Sequence, residues 1–122
     1  MIFIDYQDSR PIYEQIVEKY QKLIIKGVLA PDEQIPSVRQ MAADLSINPN
    51  TIQKAYAMLE AQGYIYTVRG RGNFVSANSA AHDRKREEWQ KKLEAVLREG
   101  RELNMGLDEL EQSVRNVLKD LK

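Results

Sequence analysis

The stretch 36–59, PSVRQMAADLSINPNTIQKAYAML, constrains this chain more than any other. Apolar residues fall twice at helical spacing, with only a turn's length between the two runs. Val38, Met41, Ala42 and Leu45 lie at i, i+3, i+4 and i+7, and Ile52, Ala55, Tyr56 and Leu59 repeat the pattern. Ser37 with Gln40 is a capping box for the first helix. Ser46-Ile47 interrupt the first stripe; Asn48 and Pro49 then supply an N-cap and a first helical residue. The remaining face of the second helix carries Asn50, Thr51, Gln53 and Lys54, which can hydrogen-bond base edges and phosphates. Two short helices joined by a turn occur in many helical folds, but this polar face predicts a helix-turn-helix whose second helix reads a DNA major groove.

The flanking segments extend this reading. Asp8-Ser9-Arg10-Pro11 reads as a helix start, followed by the stripe Tyr13, Ile16, Val17, Tyr20, Leu23 and Ile24 and a stop at Gly27. Met1–Tyr6 is a short apolar run, readable as an edge strand or as an arm on the core. Val28–Ile35 reads as a loop with Pro31 and Asp32 as turn residues. Gly63 stops the second short helix. Tyr64–Val68 and Asn73–Val75 are β-prone, and Arg69-Gly70-Arg71-Gly72 between them suits a tight turn. Two arginines at a hairpin tip have little structural use. Beside a helix-turn-helix they fit a wing, because glycines let the backbone approach the duplex and arginine suits a narrow, negative groove.

Charge neither advertises nor excludes this partner. The chain holds 18 Lys+Arg against 18 Asp+Glu, where a nucleic-acid-binding domain is usually basic. Its distribution matters more: within 36–76 the cations Arg39, Lys54, Arg69 and Arg71 face only Asp44 and Glu60, so a neutral chain can still present a positive surface. With no cysteine and the single His82, a thiol nucleophile, a zinc site and a Ser-His-Asp triad are not expected, and neither is a cofactor or an enzyme. No run approaches the length of a membrane span and no signal-peptide pattern opens the chain, so a cytoplasmic location without membrane association is expected.

Beyond Val75 the composition changes. Ser76–His82 is small and polar, and 77–82 reads as a linker. A charged helix over Arg84–Glu99 follows, with Trp89, Leu93, Val96 and Leu97 as its large apolar residues. Gly100 and Gly106 bracket a joint, and Asp108 with Glu111 reads as a capping pair for a last helix. That helix is lined by Leu107, Leu110, Val114, Val117, Leu118 and Leu121. A lone hairpin cannot cover both stripes, so two copies packing as a four-helix arrangement are expected, and a two-fold protein matches an inverted-repeat operator.

Residues 10–76 resemble the winged-helix domain of the GntR family of bacterial transcription regulators. The resemblance is carried by PIYEQI (11–16), the Gly27 helix end, IPSVRQMA (35–42), NTIQKAY (50–56), LEAQGYI (59–65) and GRGNFV (70–75), in the family's order and spacing. The two-helix tail is similar to that of the YtrA-like subfamily. The resemblance implies a dimeric, operator-binding regulator, more often a repressor, and in this subfamily one controlling a transporter operon. It also implies DNA contacts by Arg39, by Thr51 in the first turn of the reading helix, and by Gly70 in the wing with Arg69 beside it. Pro49 and Gln53 stand where many members carry arginine, and Asp32 where most carry glycine.

The expected architecture is therefore mainly α with a small β-hairpin. A winged helix-turn-helix domain (1–76) and a linker (77–82) precede a dimerisation hairpin (83–122). The DNA-contacting candidates are Ser37, Arg39, Asn50, Thr51, Gln53, Lys54, Arg69, Gly70 and Arg71. The competing reading is a winged module that binds protein and not DNA, which would expose apolar residues in place of this polar set. No effector site is legible.

Overall fold

Local stop signals and apolar spacing divide the chain into five helices and three short strands among the described residues, which are 2–77 and 80–121 of a computed structural model. In order these are α1 (Ile12–Ile25), β1 (Gln34–Ile35), α2 (Val38–Leu45), α3 (Pro49–Ala61), β2 (Ile65–Val68), β3 (Gly72–Val75), α4 (Ala80–Glu102) and α5 (Leu107–Asp120). The chain separates into two compact units, Met1–His82 and Asp83–Lys122.

The first unit is a three-helix cluster closed by a small sheet. Ile16, Val17 and Tyr20 of α1 meet Met41 and Ala42 of α2 and Ile52, Ala55, Tyr56 and Leu59 of α3 in one buried cluster. Ile16, Ile52 and Leu59 are fully buried, each contributing about 1.5–3 kcal/mol by leaving water. Tyr56 donates its hydroxyl proton to the Pro36 carbonyl at 2.7 Å, and the Tyr20 hydroxyl, 3.1 Å away, donates in turn to the Tyr56 oxygen. The rings meet edge to face. Burial pushes both phenols above their ordinary range, so both stay protonated donors.

The caps follow the sequence in part. The Ser37 hydroxyl accepts the Gln40 amide at 3.1 Å and opens α2, but the Gln40 side chain donates to Asp44 instead of completing the box. Asn48 accepts from the Asn50 amide at 2.8 Å to open α3, with Pro49 in its first turn. At α1 the expected cap does not form. Asp8 accepts from the Arg10 amide and pairs with its guanidinium, while Pro11, with extended ψ, precedes the helix. That guanidinium holds the Asp8 and Glu18 carboxyls below their usual range.

Residues 2–8 form an arm and not a strand. Ile2 is buried, and the buried Gln15 side chain accepts the Asp5 amide and donates to the Asp5 carbonyl, at 2.9 and 3.0 Å. The loop expected before Ile35 yields a third strand. Gln34 and Ile35 pair antiparallel with Phe74 and Asn73, giving the order β1-β3-β2 where a two-stranded hairpin was expected. Asp32 takes a left-handed conformation (φ 66°), so it occupies the backbone state glycine would favour there. Its carboxylate accepts the Tyr66 hydroxyl at 2.7 Å, which raises the Tyr66 phenol above its ordinary value.

The second unit is a helical hairpin. The helix α4 starts before this unit, at Ala80 and not at Arg84, so the tract expected as linker is already helical over 80–82; Asn78 and Ser79 lie outside the described residues. It also runs past Gly100 to Glu102, because Leu110 of α5 packs onto Gly100: a Cβ there would lie 2.6 Å from the Leu110 side chain. Asn104 (φ 66°) supplies the left-handed turn instead. The expected Asp108–Glu111 cap is replaced by Gly106 as N-cap, and Asp108 lies inside the first turn.

Candidate nucleic-acid interface

The winged unit places the nine DNA-contacting candidates on three elements. Ser37 caps α2 and Arg39 stands exposed in its first turn. On α3 the buried residues Ile52, Ala55, Tyr56 and Leu59 fix the inner face, so Asn50, Gln53 and Lys54 are exposed, with Thr51 half-buried. Arg69, Gly70 and Arg71 form the turn between β2 and β3, all exposed, and the Arg71 amide donates to the Val68 carbonyl at 2.9 Å. Gly70 holds φ 79°, and, its chain neighbours aside, nothing described lies within 4 Å of where its Cβ would be.

Two side-chain contacts anchor the reading helix. The Tyr56 hydroxyl ties α3 to Pro36, directly before the Ser37 cap, so the entry to α2 is fixed against the reading helix. The Lys54 ammonium sits over the Tyr13 ring, 3.9 Å from its centre, linking α3 to α1. Lys54 is thus already engaged in the free protein, which the sequence pattern did not signal.

The cations differ in their company. The ion pairs of this unit join Arg10 with Asp8 and Glu18, and Lys22 with Glu18. Among the described residues no carboxylate pairs with Arg39, Arg69 or Arg71. Three exposed guanidinium groups without protein partners keep their full bidentate donor set for phosphates or guanine edges. Among the described residues there is no His, Cys, Asp or Glu group able to hold a metal ion, and no helix long and apolar enough to cross a membrane.

One residue near this surface escaped the sequence reading. Gln34, read as loop, lies exposed in β1, and its side-chain amide donates to the Arg71 carbonyl at 2.9 Å. A short strand paired with the wing could have been suspected only from Ile35, the one apolar residue at that edge.

The candidate dimerisation residues divide into two groups within the hairpin unit. Leu93, Leu97, Leu107, Leu110 and Val114 line an open groove of about 1030 Å³, rimmed by charges that include Glu94, Arg98 and Arg115. Trp89, Val96, Val117, Leu118 and Leu121 lie outside it and are exposed, between 58% and 72%.

The profile described as "Bacterial regulatory proteins, gntR family" matches residues 12–75. The HTH-type transcriptional repressor YtrA of Bacillus subtilis is 36% identical over 124 residues, covering all of this chain and 95% of that protein. The crystal structure of a transcriptional regulator from Oenococcus oeni superposes with a TM-score of 0.80 at 31% identity, covering 97% of this chain and 99% of the other. The DNA-binding domain of AraR, solved in complex with an operator, matches 62% of this chain and 93% of its own length, at 30% identity and a TM-score of 0.53.

Proposed function

Because the chain belongs to the GntR family of bacterial regulatory proteins, as a YtrA-like transcription regulator and not an enzyme, we propose that it is a repressor binding an inverted-repeat operator as a homodimer. In this reading α3 enters the major groove and offers Asn50, Thr51 and Gln53 to base edges and phosphates. Arg39 reaches the duplex from the start of α2. The 69–71 turn lies along the backbone or in the minor groove, where Gly70 permits close approach and the two arginines meet the negative potential. Ser37 acts first as a cap and through it holds Arg39. The hairpins of two chains cover each other's grooves and set the spacing of the two reading helices. The regulated operon contains a transporter, as the YtrA-like resemblance implies.

The observation that carries this reading is the set of three exposed arginines without protein partners on the winged unit, beside a polar reading helix. Support comes also from the AraR domain, a relative solved on its operator.

A salt titration tests it. Each neutralised phosphate contributes about −0.9 to the slope of log K against log salt. Three arginines in each of two subunits give a slope of about −5, rising to about −7 if Lys54 leaves the Tyr13 ring. We expect a slope in that range on a duplex selected from a random pool by the 122-residue chain. Failure to select any duplex, or a flat slope, would favour the protein-binding module.

A further inference from the structure

We propose that Gln34 is a positioning residue for DNA binding: its side-chain amide sets the geometry of the wing tip that carries Arg69 and Arg71. This rests on the reading that the wing meets DNA.

The wing is supported unevenly along its length. The β2–β3 pairing runs as far as Val68 and Gly72, but β1 pairs only with Phe74 and Asn73. The next residue after β1 is Pro36, which has no amide hydrogen with which to continue the ladder toward the tip. Gln34 supplies that bond from its side chain. Its Nε2 donates to the Arg71 carbonyl at 2.9 Å, while the Arg71 amide is held by Val68. Both polar groups of the Arg71 backbone are thereby fixed.

The position of Gly72 fits the same device. A Cβ on Gly72 would lie 2.8 Å from Gln34 Nε2, so the space the amide occupies exists because residue 72 has no side chain. Gly72 also holds φ 124°, a conformation that other residues adopt with strain. Gly70, by contrast, has open space where its Cβ would be. Without the Gln34 bond, the two arginines would sit on a two-stranded turn and lose more freedom on meeting the duplex.

The test uses the full chain, a duplex selected by the wild-type protein, and Gln34→Met, which keeps the length and removes the donor. The loss of one such hydrogen bond is expected to weaken binding about three- to tenfold. The melting temperature should hold, since the Gln34 side chain is exposed. In an Arg69→Ala/Arg71→Ala background, Gln34→Met should cost nothing further, because it acts only through those two side chains. Without DNA, the backbone order of Gly70 and Arg71 on the picosecond–nanosecond scale, read by ¹⁵N relaxation, should fall in Gln34→Met. Unchanged order at the tip, or losses that add across the two backgrounds, would overturn the proposal. If Arg69→Ala/Arg71→Ala binds as tightly as wild type, the wing does not meet the duplex. The underlying reading then fails, and the relaxation result shows separately whether Gln34 braces the tip.

Discussion

Ser37 and Arg39 stand two residues apart at the start of α2 and place opposite demands on a mutational test. The Ser37 hydroxyl accepts an orphan amide of the first turn, so Ser37→Ala should cost about 1 kcal/mol of stability. Its effect on DNA affinity should follow from that loss alone. Arg39 is exposed and pairs with no carboxylate among the described residues, so Arg39→Ala should leave the melting temperature within experimental error. It should weaken DNA binding by roughly 1–3 kcal/mol, the range of a good arginine contact to base or phosphate. The pair is read by thermal unfolding alongside titration of the selected duplex. An Arg39→Ala protein that melts early and binds normally would remove Arg39 from the interface.

Helix endings show where an element obeys its own sequence and where it obeys a neighbour. In α1 and α3 the residue after the cap is glycine with positive φ, at Gly27 and Gly63, as the sequence signals. In α2 and α4 the same left-handed turn falls on Ser46 and Asn104. The strain of a side chain there is offset by amides that reach back to orphan carbonyls, Ile47 to Ala42 and Met105 to Gly100. Gly100 looks like a stop signal and is not one, because it is spent on helix packing. The contact has a measurable signature. For Gly100→Ala the terminal methyl of Leu110 can swing aside, and the gain of about 0.5–1 kcal/mol in helix propensity offsets the crowding. Gly100→Val projects two methyl groups into the same space and should destabilise by about 1–3 kcal/mol. Thermal unfolding of both variants decides this; equal melting temperatures would mean that α4 and α5 do not approach so closely.

At the scale of the whole molecule, the proposed homodimer uses the open groove between α4 and α5 as its interface. Leu110 is a poor place to test assembly, since it packs on Gly100 of its own chain. Val114 lines the groove and Leu118 lies a turn beyond it; both are exposed, at 39% and 58%. The Val114→Glu/Leu118→Glu protein should keep its fold and sediment as a monomer. DNA binding should weaken steeply, because the second half-site is no longer held at high effective concentration. A variant that sediments as a dimer and binds normally would move the interface elsewhere, toward the exposed row Trp89 and Val96.

The sequence by itself determined what depends on neighbours a few residues away. The two short helices, their Ser37 and Asn48 caps, the apolar stripes and the glycines of the wing turn were legible because periodicity and capping are local. So was the polar face of α3, which is what remains after the stripe is buried. The tertiary structure alone decided the pairings across the chain. β1 forms because β3 offers an edge to Gln34 and Ile35, and two residues carry too little pattern to announce a strand. Gln15 is buried because the arm brings it the Asp5 backbone, and Lys54 rests on Tyr13 because α1 crosses α3 there. The left-handed Asp32 is held by the Tyr66 hydroxyl on its carboxylate, and α4 runs through Gly100 because Leu110 fills the space above it. In each case the deciding partner is distant in sequence or on another element, and no local spacing encodes it.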